Sequence, residues 1–195
     1  MNFLAHAFLS GENEDLILGN MLADFIRGGI IDVFNPGIQK GILLHREIDN
    51  FTDHHPVVER TKVRLRPVFN HYSPVVGDMF YDHFLAANFA KYSPIPLGSY
   101  AKIIFRIMDQ HNEILPDRLK KFMDFVRFLK IFESYASIEG MEEVLEIMAR
   151  RTNYISHLEL GGQELRKNYE HYEADFKEFF PELIGFVNQR IKEIS

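Results

Sequence analysis

Apolar residues recur every three or four positions along most of this chain, which is the spacing of one face of an α-helix. The pattern predicts helices over about 14–27, 37–50, 56–70, 97–115, 116–132, 138–158 and 163–179, with a further helix that begins at Ser73 and Pro74. Strict alternation of apolar and polar residues, which is typical of half-buried strands, is almost absent. The pattern therefore predicts an all-α fold.

Glycine and proline mark the ends of these segments. Gly28-Gly29, Asn35-Pro36-Gly37 and Ser93-Pro94 predict turns between helices, and Pro181 predicts a break before a last helix over about 181–194. None of these gaps is long enough for a domain linker. We expect one domain over residues 1–195, a single compact bundle of about eight to ten helices.

The composition narrows the possible chemistry. The 195 residues include no cysteine, which excludes disulfides, thiol nucleophiles, thiolate zinc sites and iron–sulfur clusters. Nine histidines remain, so a metal site must use imidazole and carboxylate ligands. The net charge of −6 argues against broad binding to nucleic acid. The start of the chain lacks the basic residues of a signal peptide, and no apolar run approaches a membrane span, so we expect a cytoplasmic protein.

Histidine and aspartate are concentrated in the first 83 residues: His6, Asp24, His45, Asp49, Asp53, His54, His55, Asp78, Asp82 and His83. Asp82 and His83 are adjacent on an apolar helix and point about 100° apart, so only surrounding helices could bring both to one ion. Such ligands suit Mn²⁺, Fe²⁺, Mg²⁺ or Zn²⁺. From spacing alone, a metal site and ordinary structural pairs are equally open interpretations.

Four segments in this order resemble acyl carrier protein phosphodiesterases: MNFLAHAFLS, GNMLADFIRG, HREIDNFTD and DMFYDHFLAANF. The resemblance implies hydrolysis of the phosphodiester that joins 4′-phosphopantetheine to a serine of acyl carrier protein. It also implies an HD-domain-like helical bundle and a divalent cation, with Mn²⁺ favoured over Mg²⁺, Fe²⁺ or Zn²⁺, because the family is regarded as a divergent branch of the HD phosphohydrolases.

The same resemblance implies roles for individual residues. The expected metal ligands are Asp24, His45, Asp82 and His83, with Asp78 as the substitute for Asp82. We expect His6 near the site, behind the ligands or on the phosphate, and Asp49 and Asp53 as groups that orient His45 or neighbouring helices. Arg27 and Arg46 are expected either to contact phosphate oxygens or to form surface salt bridges.

The expected mechanism is direct attack by water activated at the cation, with the serine oxygen as leaving group. Acyl carrier proteins are acidic, so a chain of net charge −6 needs a local basic face for this partner. The best candidates in the sequence are Arg60, Lys62, Arg64 and Arg66. A second basic cluster is interpreted as a solvated face: Arg118, Lys120, Lys121, Arg127 and Lys130.

Two other functions fit the same sequence. The first is an HD-type phosphohydrolase that acts on a nucleotide or another small phosphoester, since such sites do not require a glycine-rich loop. The second is a non-enzymatic helical interaction module, in which the aspartates and histidines would be scattered over the surface.

Overall fold

The periodic apolar positions fold into helices throughout the computed structural model, which describes residues 2–26 and 31–194. The α-helices are α1 Phe3–Leu9, α2 Glu14–Leu22, α3 Pro36–His54, α4 Pro56–Phe69, α5 Ser73–Ala87, α6 Phe89–Tyr92, α7 Leu97–Gln110, α8 Asp117–Phe128, α9 Ile131–Ser134, α10 Ile138–Arg151, α11 Gly161–Lys167 and α12 Tyr169–Ile194. The described ranges contain no strand. The predicted all-α fold is confirmed.

The C-terminal helix corrects one predicted boundary. α12 runs unbroken from Tyr169 to Ile194 with Pro181 inside it, so the predicted break there is wrong. Proline removes one main-chain N–H donor from a helix. The apolar neighbours Phe180 and Leu183 are fully buried, and their packing stabilises the helix across this position.

The N-terminal helix α1 was not predicted, because seven residues are too few to show a helical period. Asn2 caps it: its side-chain oxygen accepts a hydrogen bond from the Phe3 N–H at 2.9 Å. The helix packs against α2 and α5. This packing carries His6, in the middle of α1, into the interior, where it is 3% exposed.

Two glycines allow an unusually close contact between α2 and α3. A β-carbon added to Gly19 would lie 2.1 Å from the carbonyl oxygen of Ile38 and 2.8 Å from the Cα atom of Gly41. Any side chain at position 19 would therefore push the helices apart. The next residue on α2 is Asn20, and His45 lies one turn beyond Gly41 on α3, so this contact sets the distance between those two polar residues.

Aromatic side chains fill the space between α5 and α12. Tyr81 and Phe84 on α5 pack against Phe176 on α12, with ring centroids 6.0 and 5.7 Å apart. Phe80 meets Tyr172 edge to face at 5.0 Å. α5 is thus a central helix of the core. Across the described residues, no helix is long and apolar enough for a transmembrane segment.

Candidate metal centre

Three helices contribute buried polar side chains to one point: His6 from α1, Asn20 from α2 and His45 from α3. The two imidazole rings stack, with centroids 4.0 Å apart and planes inclined by 16°. Nδ1 of His6 lies 2.8 Å from Oδ1 of Asn20. Nδ1 of His45 lies 2.9 Å from the Asn20 carbonyl oxygen and 3.0 Å from Oδ1. One asparagine therefore fixes both rings.

Asn20 also has its own supports, which fix the direction of its amide. Its Nδ2 donates to Oγ of Ser10 at 2.9 Å and to the carbonyl oxygen of His6 at 3.2 Å. The Ser10 hydroxyl donates to the same carbonyl at 2.9 Å. The amide oxygen is thereby left to face the two imidazoles, and each Nδ1 must carry a proton to donate to it.

The other nitrogen of each ring faces carboxylates. Nε2 of His6 lies 3.1 Å from Oδ1 of Asp49, and Nε2 of His45 lies 3.1 Å from Oδ2 of the same residue. Oδ1 of Asp24 lies 3.2 Å from Nε2 of His45. Asp49 is half-buried, whereas the Asp24 side chain is 57% exposed. Two imidazole nitrogens thus converge on Asp49, and Asp24 reaches His45 from the solvent side.

The electrostatics of the four groups are strongly coupled. Burial lowers the pKa of His6 to about 4. Burial also opposes the charged form of His45, but hydrogen bonds to Asp24 and Asp49 outweigh it and raise the pKa of His45 to about 9. The hydrogen bond to His45 lowers the pKa of Asp24. Burial opposes ionisation of Asp49, but its contacts with His45 and His6 outweigh burial and hold its pKa well below its usual range. Both carboxylates are therefore ionised at neutral pH.

The donor set fits a divalent cation. Once Nδ1 of a ring carries the proton, the lone pair on Nε2 points at a carboxylate oxygen, and two acceptors face each other unless a proton or a cation lies between them. A cation coordinated at about 2.1 Å holds neighbouring ligand atoms roughly 3 Å apart, close to the 3.1 and 3.2 Å found here. Within the described ranges, His6, His45 and Asp49 are the group of three or more such residues close enough to share an ion.

Asp82 serves a different purpose from the one the resemblance implies. Its carboxylate is fully buried and accepts hydrogen bonds from the N–H groups of Leu4 at 2.9 Å and Ala5 at 3.1 Å. These two N–H groups belong to the first turn of α1, where the main-chain donors have no acceptor within the helix. Burial raises the pKa of Asp82 to about 7. Asp82 thus holds the N-terminus of α1 in place, and the structure does not bring it to the histidine pair.

His83, also expected as a ligand, points to another part of the bundle. Its Nδ1 donates to the carbonyl oxygen of Tyr135 at 2.8 Å, and its Nε2 lies 3.4 Å from the Tyr169 hydroxyl. Burial lowers its pKa. Asp78, the substitute ligand, precedes Asp82 by one turn on α5, and burial raises its pKa as well.

The remaining expected residues lie at four places. Arg46 is on the exposed side of α3 and lines a groove with Phe186 and Arg190 of α12, away from the histidine pair. Arg27 lies outside the described residues. Asp53 on α3 pairs with Lys62 on α4 at 2.8 Å, which fits the expected role of orienting neighbouring helices rather than that of orienting His45. The basic residues at 60–66 form five ion pairs: Arg60–Asp175, Arg60–Glu178, Lys62–Asp53, Arg64–Asp175 and Arg66–Glu59, with N–O distances of 2.7, 2.6, 2.8, 2.5 and 3.1 Å.

Two features of the site go beyond the sequence pattern. Asn20 is a single amide in an apolar helix, and only its contact with both rings shows its importance. Asp49 was expected to orient His45, and in the structure it contacts His6 as well as His45. An asparagine within a helix is usually a structural or solvated group, so the pattern alone does not distinguish Asn20.

This chain is similar to known proteins over most of its length. Residues 1–183 match the family described as acyl carrier protein phosphodiesterase. An acyl carrier protein phosphodiesterase of Enterobacter sp. (strain 638) is 32% identical over 188 residues, which cover 94% of this chain and 96% of that protein. One of Klebsiella pneumoniae subsp. pneumoniae is 32% identical over 194 residues, covering 97% and 99%. No solved structure gave a significant match.

Proposed function

The chain belongs to the acyl carrier protein phosphodiesterase family, and we propose that the cluster of His6, His45, Asp49 and Asp24 is the metal centre at which it acts. The resemblance found in the four sequence segments is thereby confirmed at the level of the family. The reaction is hydrolysis of the phosphodiester between 4′-phosphopantetheine and a serine of holo acyl carrier protein. The products are apo carrier protein and free 4′-phosphopantetheine.

One observation carries the assignment of the site. Nε2 of both histidines meets carboxylate oxygens at 3.1 to 3.2 Å, while both Nδ1 atoms are fixed by Asn20. Metal-binding histidines usually donate the second ring N–H to a carbonyl or carboxylate, which fixes the tautomer and the direction of the free lone pair. Asn20 fulfils that function for both rings at once.

The ligands in this proposal are the two Nε2 atoms and the carboxylates of Asp49 and Asp24, and they differ from the expected set by His6 and Asp49 in place of Asp82 and His83. Imidazole and carboxylate together suit Mn²⁺, which we favour, and also Mg²⁺, Fe²⁺ or Zn²⁺. A divalent cation bound there neutralises phosphoryl charge and lowers the pKa of a coordinated water.

The roles of the four side chains in the proposed site follow from their positions. His6, His45 and Asp49 are buried or half-buried and are held by neighbouring helices, so they form the fixed part of the site. Asp24 lies on the short helical turn Ala23–Phe25 after α2 and lines an open cleft. It is the carboxylate that reaches both the histidine pair and a substrate in the cleft.

The direct test is incubation of the purified protein with holo acyl carrier protein and Mn²⁺, followed by intact-mass measurement of the carrier protein. We expect the mass to fall by one phosphopantetheine group, and the loss to stop in a chelator. An unchanged mass would contradict the proposal. Hydrolysis of a small phosphodiester alone would favour the phosphohydrolase alternative, and a protein that retains no metal after Mn²⁺ loading would favour the interaction module.

A further inference from the structure

A basic and aromatic cleft begins at Asp24. It has a volume of about 500 Å³, within the range of small-molecule sites. Its positive charge comes from Arg118 and Lys121 on α8 and from Arg151 at the end of α10. Phe3, Phe25, Phe122 and Phe125 form its apolar walls. The cleft therefore places three cations beside the solvent-facing carboxylate of the proposed metal centre.

Two of the three cations lie over aromatic rings. The Arg118 guanidinium lies over the ring of Phe25 at 5.8 Å, and that of Arg151 over the ring of Phe125 at 4.6 Å. Among the ion pairs found in residues 2–26 and 31–194, none includes Arg118, Lys121 or Arg151. The basic residues at 60–66 differ, because carboxylates of the same protein already neutralise them. The cleft retains its charge for an anionic ligand.

A second, mainly apolar cavity of about 310 Å³ continues from the cleft. The two share the side chains of Phe3, Phe122, Phe125 and Arg151, so they are adjacent compartments of one depression. Beyond this shared wall the lining is largely aliphatic and includes Val126, Val144 and Met148. Asn2 and Thr152 supply polar groups at its edge. The depression therefore runs from a metal site, through a cationic region, to an apolar end.

We propose that this depression binds the 4′-phosphopantetheine arm, with the phosphate among Arg118, Lys121 and Arg151 and the uncharged chain in the apolar cavity. The inference rests on the proposed function, which requires the phosphodiester to lie beside Asp24. Charge complementarity determines how the ligand is oriented, because its phosphate is at one end and an extended chain of amides and methylenes follows. The phosphate faces the cations, and the chain extends into the apolar cavity. Arginine and lysine are the side chains suited to a phosphate at that end.

The same placement leaves the carrier protein itself on the open side of the cleft. Arg118 and Lys121 are exposed on the outer surface of α8. The face expected from the sequence, 60–66, has its charges paired within the protein. The cluster interpreted from the sequence as a solvated face thus supplies two of the three cations that meet the substrate.

The test measures binding of two probes to metal-loaded protein by calorimetry: free 4′-phosphopantetheine, and pantetheine, which lacks the phosphate. Lys121→Glu should lower the affinity for 4′-phosphopantetheine by about tenfold or more, since a lost charge-assisted contact costs about 1.5–3 kcal/mol. The affinity for pantetheine should change by less than about twofold. The matched control is Lys102→Glu, an equal change of charge at an exposed position that lines a separate groove, and both affinities should stay unchanged in it.

The apolar end is tested by changing its volume. Met148→Trp fills the cavity and should lower the affinity for both probes by about tenfold. Met148→Ala enlarges the cavity and should change both affinities less. If the tryptophan variant does not fold, the phosphate end is tested a second time with Arg151→Gln, an exposed position on the wall shared by both compartments. This variant should weaken the binding of 4′-phosphopantetheine by about tenfold and change that of pantetheine by less than about twofold, and unchanged binding of 4′-phosphopantetheine would contradict the inference.

The outcomes separate this inference from the proposed function. Hydrolysis of holo carrier protein together with unchanged affinities in Lys121→Glu and in folded Met148→Trp would overturn the inference alone. Variant-dependent binding of 4′-phosphopantetheine without any hydrolysis would overturn the function and support the binding site. A wild-type protein that binds neither probe would also overturn the inference.

Discussion

The cluster around His45 and the Asp82–His83 pair on α5 use the same two residue types, but their polar atoms meet different partners. In the cluster, imidazole nitrogens and carboxylate oxygens face one another at 3.1 to 3.2 Å. On α5, Asp82 accepts from main-chain N–H groups and His83 donates to a main-chain carbonyl. The first arrangement directs the two Nε2 atoms and the carboxylate oxygens towards one another, and the second satisfies each group separately.

The contrast gives a criterion for buried ionisable residues in a helical protein. A buried carboxylate or imidazole whose partners are main-chain groups holds two elements together and has no capacity left for an ion. Side chains from several helices that present acceptors to one another need a positive charge between them. By this criterion the α5 pair has a structural role, and the cluster is the site that we propose as functional. Substitutions in the two regions test this division.

Removal of a ring from the cluster should have the largest effect. In His45→Ala we expect metal content to fall and the rate of carrier-protein hydrolysis to drop by more than about 100-fold, because even groups behind metal ligands contribute 10- to 100-fold. The measurements are elemental analysis of the metal-loaded protein and intact-mass kinetics. His54→Ala is the matched control: the same substitution at an exposed position of the same helix. A His45→Ala enzyme with full metal content and normal rate would refute the assignment.

Loss of the asparagine behind the rings should have the next largest effect. In Asn20→Ala both Nδ1–H groups lose their acceptor side chain, so we expect a 10- to 100-fold loss of metal affinity. Asn20→Asp keeps an oxygen towards the rings and should retain more affinity than the alanine variant. Competition with a metal-binding dye measures both. Equal affinities in the wild type and Asn20→Ala would show that Asn20 does not position the ligands.

The helical fold could be predicted largely from periodicity, because long amphipathic helices such as α3 and α7 repeat their apolar positions over several turns. Two of the failures have local causes. α1 is too short to show a period, and Pro181 is a strong helix breaker by composition but lies in a helix held by buried aromatic residues.

The site could be predicted only in part. The family resemblance brought forward His45 and Asp24, which the structure places together. It could not show that Asp82 would face the first turn of α1, because that contact joins residues 77 and 78 positions apart in sequence. Asn20 was missed for the same reason: its partners on α1 and α3 are distant in sequence, and only the close approach at Gly19 and Gly41 brings them within reach.

Alanine at Asp82 and at Asp24 should have opposite consequences. Asp82→Ala leaves two buried N–H groups of α1 without acceptors, so we expect the free energy of unfolding to fall by about 1–3 kcal/mol, with metal binding largely retained. Asp24→Ala removes an exposed carboxylate, so stability should change by less than about 0.5 kcal/mol while turnover is abolished. Urea unfolding and intact-mass kinetics measure the two quantities. A stable, inactive Asp82→Ala protein would move Asp82 from the structural to the functional group.

The smallest expected effect is the pH dependence contributed by His83. Burial lowers the pKa of this imidazole below its ordinary 6.5, although the hydrogen bond to the Tyr135 carbonyl and the charge of Glu139 act in the other direction. Below about pH 6.5 the unfolded chain therefore binds a proton that the folded protein does not, and stability falls as the pH is lowered. Each pH unit in that window lowers the free energy of unfolding by at most about 1.4 kcal/mol for one group.

In His83→Gln this contribution is absent, so the difference in unfolding free energy between wild type and variant should shrink from pH 7.5 to pH 5.5, with metal content equal in both. A difference that is constant with pH would mean that His83 takes up its proton in the folded protein, and a loss of metal in the variant would show that the α5 pair belongs to the metal centre after all.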